Sequence, residues 1–283
     1  MIICKLSGGL GNQLFQYFNA MNVSRNLGIE KVFLDISSYD KTNDHSGYQL
    51  DKYGISNIIL NKNVCKVIDI SNRLCKKIMK RNLSFYHLQD QFNFYDIHTN
   101  GKFVVLDGTF QSERFFDNVL KDVNELMKLE LDDKCQMFLS NFSKKNIISI
   151  HIRRGDYVNN SDVNDIIGAC SVDYYQEAID IMENKYQDSE FMIFSDDDEW
   201  YKNNLKFSKA FFFVDFNKGS RSHYDIELMR RCDHHIISNS SFSWLGAWSE
   251  NKKNTVICPD PWFNDISLNG EDICPESWIK IKK

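Results

Sequence analysis

The sequence has no apolar run that approaches the roughly 18 to 20 residues needed to span a bilayer. It also has no basic excess, because 34 Lys and Arg are outnumbered by 39 Asp and Glu, for a net charge of -5 at pH 7. Nucleic-acid-binding domains normally carry a basic excess, so no nucleic-acid partner is expected. The first residues, MIICKLSGGLGNQ, lack the basic and long apolar segments of a secretory signal peptide. These absences predict a soluble, cytoplasmic protein.

Paired cysteines are absent as well. The eight cysteines stand singly, with no C-x-x-C pair and no zinc-finger spacing. Without an export signal, such cysteines are expected to be reduced and mostly buried. Core material is plentiful, since 42% of the 283 residues are hydrophobic and 26% are charged, which excludes wholesale disorder. The length suits about two domains.

Strand and helix patterns alternate along the chain. A strand at residues 2–6, a glycine-rich turn, a helix at 13–27 and a strand at 31–36 form a βαβ unit. Alternation of this kind predicts a parallel sheet with crossover helices. Further strands are predicted at 103–106, 147–152, 191–194, 210–214, 235–238 and 255–258, and further helices at 115–129, 173–186, 223–231 and 242–250.

A polar stretch at residues 140–146 has the composition of a domain junction. It divides the chain into a predicted N-terminal lobe, residues 1–142, and a C-terminal lobe, residues 143–283. We therefore predict an α/β protein of two lobes with a cleft between them.

Residues 64–83 mix Val, Ile, Leu and Met with Lys and Arg. A basic amphipathic helix of this kind can lie on an anionic membrane surface. A helix that simply has a solvated charged face is the commoner case, and we favour that interpretation.

Residues 7–12, SGGLGN, lie between the first strand and the first helix. Glycines permit close approach of the backbone, and N–H groups at a helix start favour phosphate. The dinucleotide fingerprint G-x-G-x-x-G is met only by Gly9 and Gly11, because its third position is Leu14. A tight turn without a ligand explains the segment equally well.

The segment HIRRGDY, residues 151–157, follows an apolar strand. Its side chains would lie at the carboxyl edge of a parallel sheet, where open α/β folds bind ligands. A guanidinium can bind phosphate oxygens through two hydrogen bonds. Adjacent side chains of an extended segment point to opposite sides, so at most one of Arg153 and Arg154 is expected to reach a ligand directly. The alternative is a structural ion pair, for instance between Arg154 and Asp156.

A third segment runs from Asp225 to Trp248 and contains the strand HIIS followed by Asn239, Ser240 and Ser241. Ser and Asn are ordinary caps at a helix start, so the hydroxyls alone prove little. In the same lobe as the arginines, however, a hydroxyl-rich helix start suggests a diphosphate that is held from two sides.

Three carboxylates, Asp196 to Asp198, follow another strand. They could bind a divalent metal, accept hydrogen bonds from a ribose or a base, or cap the next helix. His234 and His235 beside Cys232 could indicate zinc. Neighbouring residues of a strand face opposite ways, however, so we favour a buried strand there.

The motifs GGLGNQLFQY, HIRRGDY, FSDD and SNSSFSW, in this order and at these separations, resemble those of the bacterial α-1,2-fucosyltransferases of glycosyltransferase family 11. The resemblance runs from about residue 1 to about residue 260. HxRRGD combined with SNSSFSW is far more specific than any single motif. Leu245 departs from the pattern, because many relatives carry a second Trp at this position. We expect the difference to affect the packing behind the site and not the chemistry.

The resemblance implies a GT-B-type fold of two Rossmann-like lobes, with GDP-β-L-fucose bound mainly by the C-terminal lobe. It implies inverting transfer of L-fucose, without a metal or other cofactor, to the 2-hydroxyl of a terminal β-galactoside in an O-antigen or related glycan. By motif position, Arg153 would hold the β-phosphate, and His151 and Asp225 would contact the guanine. The other implied donor-binding residues are Gly9, Gly11 and Asn12 of the first lobe, Arg154, Asp196 and Asp197 beside the nucleotide, and Asn239, Ser240, Ser241 and Phe242 beside the diphosphate and fucose.

The acceptor hydroxyl must lose a proton as it attacks, so a carboxylate or histidine is needed nearby. Asp156 is our candidate for this base, because it shares a loop with Arg153. An ion pair that holds an arginine in place is an equally good role for Asp156. Acceptor specificity is expected in residues 40–100. If the acceptor is carried on a membrane lipid, residues 64–83 could dock on the inner face of the bacterial inner membrane.

Three alternatives stay open at this stage. One is a metal-dependent transferase that uses Asp196 to Asp198, and another is a fucosyltransferase of different linkage. The third is a non-catalytic protein that binds a GDP-sugar or a glycan.

Overall fold

The computed structural model describes residues 1–40, 47–55, 58–89, 91–99, 101–250 and 253–283. The chain divides into two compact units, Met1–Leu126 and Met127–Lys283. Each unit is built on a sheet of parallel strands, which confirms the predicted α/β class. The cleft between two lobes stays a prediction.

The division after Leu126 comes earlier in the chain than the junction predicted at residues 142–143. The segment between the two positions packs in the second unit. Asp132 forms an ion pair with Arg221 at 2.7 Å, and the Cys135 thiol lies 3.6 Å from the Asn217 amide nitrogen. A polar stretch in the sequence therefore did not mark where the units divide.

The first unit holds a five-stranded sheet in the order β3-β2-β1-β5-β4. Helix α1 (Leu10–Leu27) ends before Gly28, whose φ of 61° is left-handed and suits glycine. The strands are β1 (Ile2–Lys5), β2 (Val32–Asp35), β3 (Ile58–Ile59), β4 (Tyr86–Leu88) and β5 (Val104–Asp107). The helices are α1 (Leu10–Leu27), α2 (Lys62–Met79) and α3 (Leu120–Leu126), with 3-10 segments at Ser37–Asp40, Leu50–Tyr53 and Glu113–Val119.

The second unit holds a six-stranded sheet in the order β8-β7-β6-β9-β10-β11. Counted within the unit, this is the 3-2-1-4-5-6 order of doubly wound dinucleotide-binding sheets. The strands are β6 (Asn146–Ile152), β7 (Ser189–Ser195), β8 (Phe211–Phe213), β9 (His234–Ile236), β10 (Val256–Asp260) and β11 (Ile279–Lys282). The helices are α4 (Asp133–Leu139), α5 (Gly155–Asn159), α6 (Ser161–Ile166), α7 (Val172–Lys185), α8 (Asp198–Asn204), α9 (His223–Arg230) and α10 (Ser241–Ala247), with a 3-10 turn at Gly219–Arg221.

The core of the second unit holds the ends of its central strands in place. Strand β6 is covered on both faces, as its run of isoleucines predicts, and α7 packs against it through two fully buried tyrosines. Tyr175 donates a hydrogen bond to the carbonyl of His151 at 3.2 Å, and Tyr174 donates to the carbonyl of Ile237. A single helix thereby fixes the points where the chain leaves β6 and β9.

The predicted strands and helices are present, with differences at their ends. The predicted helix at 115–129 is instead a 3-10 segment followed by the short α3, because Phe116 leaves the helical region with φ -138° and ψ 25°. All eight cysteines are free, and all but Cys75 are buried, as predicted. Within the described residues, no helix combines the length and the apolar character required to cross a membrane.

Candidate functional site

The second sheet reverses its strand order between β6 and β9, which is where doubly wound sheets bind ligands. The two strands are parallel neighbours, with Ser149 opposite His235 and Ile150 opposite Ile236. Their carboxyl ends therefore meet at one edge. The segment HIRRGDY leaves this edge from β6, and SNSSFSW leaves it from β9. The topology thus brings together two motifs that lie far apart in the sequence.

His151 joins the two motifs directly. Its Nδ1 shares a 2.8 Å hydrogen bond with the Ser238 hydroxyl, and its ring centroid lies 5.7 Å from that of Phe242. The imidazole is buried, and desolvation lowers its pKa to about 4, against the opposing effect of Asp196. His151 is therefore neutral at pH 7. It can take part in hydrogen bonds or ring contacts but carries no charge.

Arg153 is held between two carboxylates. Its Nη2 lies 2.7 Å from Asp156 Oδ1, and its Nη1 lies 2.9 Å from Asp196 Oδ2. The guanidinium also lies 5.6 Å from the ring centroid of Tyr157. About a third of the side chain (31%) stays exposed. A guanidinium that is fixed in place yet open on one side is suited to a phosphate.

Arg154 has partners different from those of Arg153, although its backbone, with φ -133° and ψ -43°, is not extended. Its Nε lies 3.1 Å from Asp197 Oδ2, and its guanidinium packs 4.2 Å from the ring centroid of Trp200. The ion pair suggested between Arg154 and Asp156 is therefore wrong, because Asp156 pairs with Arg153 instead. These contacts give Arg154 a structural task, and its contact with a donor stays a prediction.

The carboxylates of FSDD brace the arginine loop. Asp196 accepts hydrogen bonds from the backbone N–H groups of Arg154 at 2.8 Å and Gly155 at 3.2 Å, besides its ion pair with Arg153. A Cβ on residue 155 would come within 2.8 Å of Asp196 Oδ2, so a larger residue there would have to displace this carboxylate. Asp197 caps α8 by accepting from the Trp200 N–H at 3.1 Å. Within the described residues, no three His, Cys, Asp or Glu side chains gather in a way that could hold a metal ion.

The four predicted donor-binding residues of SNSSFSW divide into two groups. Asn239 is buried, and its amide nitrogen donates to the carbonyls of Ile167, Gly168 and Trp262 at 2.8 to 3.0 Å. Ser240 caps α10 by accepting from the Phe242 N–H at 3.3 Å. Ser241 and Phe242, in the first turn of α10, keep part of their surface exposed. Asn239 and Ser240 thus serve the fold, and contact with a ligand stays a prediction for all four residues.

Asp225 lies in the first turn of α9, which leads into β9, so it too belongs to the carboxyl edge of the sheet. Asn217 donates a 2.9 Å hydrogen bond to its carboxylate and accepts one from Arg221. Burial raises the pKa of Asp225 to about 7, although this hydrogen bond and the Arg221 charge oppose the rise. Asn217 and Arg221 were missed in the sequence, because nothing in the loop before α9 marks them.

Replacing Asp225 with Asn is expected to raise the unfolding temperature at pH 8 by clearly more than it does at pH 5. The folded pKa lies above the ordinary value of 3.8, so the folded state retains a proton between about pH 4 and pH 7 that the unfolded state has lost. Stability from this group is therefore full below pH 4 and declines as pH rises through 7. Thermal melts at the two pH values measure the difference. A change of the same size at the two pH values would contradict the raised pKa.

The glycine turn of the first unit is held by two buried glutamines of α1. Gln13 donates to the carbonyl of Gly8 at 3.2 Å, while Gln16 accepts from the Ser7 N–H at 3.0 Å. Gly8 has a φ of 70°, and a Cβ there would clash with the Asn12 side-chain amide. The roles of Gln13, Gln16 and Gly8 were not predicted from the sequence. Two polar residues three positions apart on an otherwise apolar helix were, however, a signal that the glutamines have a specific role.

The predicted donor-binding residues of this turn lie at the carboxyl end of β1. Gly9 is the N-cap of α1, and Gly11 and Asn12 belong to its first turn. The Asn12 side-chain oxygen accepts a 2.7 Å hydrogen bond from Gln111. Their contact with a donor stays a prediction.

The two histidines of β9 serve the core. His235 is buried and shares a 2.8 Å hydrogen bond with the Ser149 hydroxyl. His234 stacks on Tyr186 at 3.7 Å between ring centroids, and its Nδ1 accepts from the Thr255 N–H. The favoured interpretation of a buried strand is confirmed.

Comparison with known proteins shows one family over the whole chain. The family model described as glycosyl transferase family 11 matches residues 1–282. An alpha-1,2-colitosyltransferase of Escherichia coli is 36% identical over 100% of this chain and 99% of its own. The O-antigen biosynthesis glycosyltransferase WbnK of Escherichia coli is 28% identical over 98% of this chain and 99% of its own. A galactoside 2-alpha-L-fucosyltransferase of Caenorhabditis elegans is 24% identical over 99% of this chain and 79% of its own.

Among solved structures, the fucosyltransferase NodZ from Bradyrhizobium is similar in fold. The TM-score is 0.53 at 15% sequence identity, over 95% of this chain and 96% of that one. At this identity the likeness concerns the fold alone.

Proposed function

The chain belongs to glycosyl transferase family 11, and on that premise we propose that it transfers L-fucose from GDP-β-L-fucose to the 2-hydroxyl of a terminal β-galactoside. The acceptor would be part of an O-antigen or a related surface glycan. The observation that carries this proposal is Arg153, fixed by Asp156 and Asp196 at the point where the strand order reverses. The names of the relatives agree with an α-1,2 linkage, a galactoside acceptor and O-antigen synthesis.

In the proposed reaction the acceptor oxygen bonds to the anomeric carbon from the face opposite GDP. The bond from that carbon to the β-phosphate oxygen breaks, GDP leaves, and the configuration inverts from β to α. Negative charge grows on the departing diphosphate. The Arg153 guanidinium would offset this charge, and it would do so without reorganising because the two carboxylates already hold it.

The guanine would be bound on the side of His151 and Asp225. The ring N1–H and the exocyclic amino group of guanine are donors, and a carboxylate such as Asp225 is an acceptor that suits them. His151 is neutral, so it would contact the base or the ribose through hydrogen bonding or ring packing. Ser241 and Phe242, still partly exposed at the start of α10, would lie against the sugar and the diphosphate.

We infer that the reaction needs no divalent metal. This inference is supported by the contacts of the FSDD carboxylates, which already bind groups of the protein. Asp196 binds two backbone N–H groups and Arg153, and Asp197 binds Arg154 and caps α8. The charge-neutralising part of the reaction then falls to Arg153. Activity in EDTA tests this directly.

Asp156 stays our candidate for the base that takes the acceptor proton, and the structure gives it a second task. Its Oδ1 is paired with Arg153 at 2.7 Å, while 38% of the side chain is exposed. One oxygen could brace the arginine while the other receives the proton.

A second candidate donor is GDP-activated colitose, which is fucose without its 3-hydroxyl. The alpha-1,2-colitosyltransferase of Escherichia coli, at 36% identity over the full length, favours it. The difference between the two donors is one hydroxyl, which a site that hydrogen-bonds it can discriminate strongly.

The test is acceptor-dependent release of GDP from GDP-fucose and from GDP-colitose, with lactose as acceptor and EDTA in the buffer. The proposal expects faster release from GDP-fucose and an α-1,2-linked product by NMR. Faster release from GDP-colitose assigns the second donor, and another linkage in the product contradicts the proposed regiochemistry. GDP binding without release for any β-galactoside favours a binding protein, and activity only with added Mg²⁺ or Mn²⁺ contradicts the metal-free reaction.

A further inference from the structure

Helix α2 presents an apolar stripe to solvent. Val67, Ile70, Leu74 and Ile78 follow one another at spacings of three or four residues, so they share one face of the helix. Their exposed fractions are 62%, 51%, 53% and 77%. Amphipathic helices of globular proteins normally turn such a stripe towards the core. Here it points away from the core.

A different face of α2 packs on the first unit. Cys65 and Asn72 are buried, and the Asn72 side-chain oxygen accepts a 2.9 Å hydrogen bond from the Leu83 N–H. Asp69 forms a 2.6 Å ion pair with Lys5 of β1. At about 100° per residue, this face lies roughly 180° around the helix from the exposed apolar stripe.

The third face of α2 is basic. Lys62, Lys66, Arg73 and Lys77 lie within about 60° of one another around the helix, between the buried face and the apolar stripe. Lys76 adds a fifth positive charge to the helix, and Lys80 and Arg81 follow its end. The favoured interpretation, a helix with a solvated charged face, is thus correct for the basic face of α2. The apolar stripe beside that face is also exposed to solvent, which this interpretation does not explain.

The exposed apolar surface of the chain is concentrated at this place. Fourteen large hydrophobic residues are exposed among the described residues, and eight of them fall between residues 58 and 79. A local concentration of this kind marks an interaction surface rather than ordinary surface scatter. The eight are Ile58, Ile59, Val64, Val67, Ile70, Leu74, Ile78 and Met79.

We propose that α2 lies in the interface of an anionic lipid bilayer, with its apolar stripe among the acyl chains and its basic face at the headgroups. An apolar stripe flanked by Lys and Arg is the pattern of helices that lie in membrane interfaces. Within α2 the only acidic side chain is Asp69, which is paired with Lys5, so the helix is strongly positive in a chain whose net charge is -5. A symmetric contact between two α2 helices would instead bring these positive charges together. Charge complementarity therefore favours an anionic lipid surface over a second copy of the chain.

Sedimentation of the full chain with vesicles tests this proposal, independently of the reaction. Vesicles of phosphatidylcholine with about 30% phosphatidylglycerol should pellet the protein at low salt at least fivefold more than pure phosphatidylcholine vesicles, and 0.5 M NaCl should reduce the pelleting. The double variant Leu74→Ser and Ile78→Ser should lose at least fivefold in binding. Its matched control, Met137→Ser with Ile266→Ser, also replaces exposed apolar side chains and should bind like the wild type.

A second pair of variants tests the charge. Lys66→Gln with Lys77→Gln should weaken binding, whereas Lys121→Gln with Lys145→Gln, exposed lysines elsewhere, should not. Circular dichroism verifies that each variant is folded. Absence of pelleting with anionic vesicles at low salt would overturn the proposal, as would equal loss in the control variants. A dimer in sedimentation velocity that the α2 variants abolish, with no vesicle binding, would assign the surface to a second copy.

Discussion

Replacing Arg153 with alanine is expected to lower kcat for acceptor-dependent GDP release by about 10²- to 10³-fold, the usual effect of removing a donor that stabilises transition-state charge. The guanidinium is already fixed by Asp156 and Asp196, so its whole effect on the departing diphosphate is lost with it. Binding of GDP should weaken less than kcat falls, because the charge on the bridging oxygen grows only as the bond breaks. Initial rates at saturating GDP-fucose, with GDP affinity from calorimetry, measure both quantities.

Arg25→Ala is the matched control for this variant. Arg25 also forms an ion pair, with Asp122 at 2.7 Å, but both side chains are about half exposed and lie in the first unit. Its loss should leave kcat within about twofold, since exposed ion pairs contribute little. The kcat of Arg153→Lys should lie between those of Arg153→Ala and the wild type, because lysine keeps the positive charge but cannot form the two parallel hydrogen bonds of a guanidinium. If Arg153→Ala keeps more than a tenth of wild-type kcat, Arg153 only braces its loop.

Asp156→Asn separates the two roles of Asp156 within the same assay. Asparagine keeps an oxygen that can accept a hydrogen bond from Arg153 but cannot take a proton. A fall of 100-fold or more, of the size seen for general bases, would assign the proton transfer to Asp156. A fall in kcat of less than about tenfold would mean that Asp156 only holds Arg153 in place.

The sheets were predictable because their strands are continuous apolar runs. Strands β6 and β7, buried along almost their whole length, carry the continuous apolar run that is typical of a strand covered on both faces. The short edge strands β3 and β4 carry none, because two or three residues are too few to show a period. Their pairing is decided by neighbours from elsewhere in the chain.

The residue types of the site were also predictable, but their partners were not. The sequence places Arg153 and Arg154 at a strand end and predicts that they diverge. It does not reveal that Asp196, 42 residues away from Arg154, binds that loop, since the contact depends on the pairing of β6 with β7. Likewise the sequence places α2 as a basic helix, but the direction of its apolar stripe depends on which face packs on β1 and β4.

Asn239 shows how a residue of a binding motif can have a structural role as well. Its sequence position, between a strand end and a hydroxyl-rich helix start, predicts a ligand contact. Its side chain donates to the carbonyls of Ile167, Gly168 and Trp262, and its own backbone carbonyl accepts from Tyr157 at 3.2 Å. Such a residue holds together the loops around the site.

Replacing Asn239 with alanine is therefore expected to destabilise the second unit by about 3 kcal/mol or more, because buried carbonyls lose their donor. For a unit of this size the unfolding temperature should fall by roughly 6 to 12 °C. Asn264→Ala is the matched control, since that exposed amide donates to one carbonyl, of Asn164, and its loss should cost less than about 1 kcal/mol. Thermal melts and GDP titration on the folded fraction measure the two effects separately. An unchanged melting temperature with lost GDP binding would return Asn239 to the ligand-binding role that its sequence position predicts.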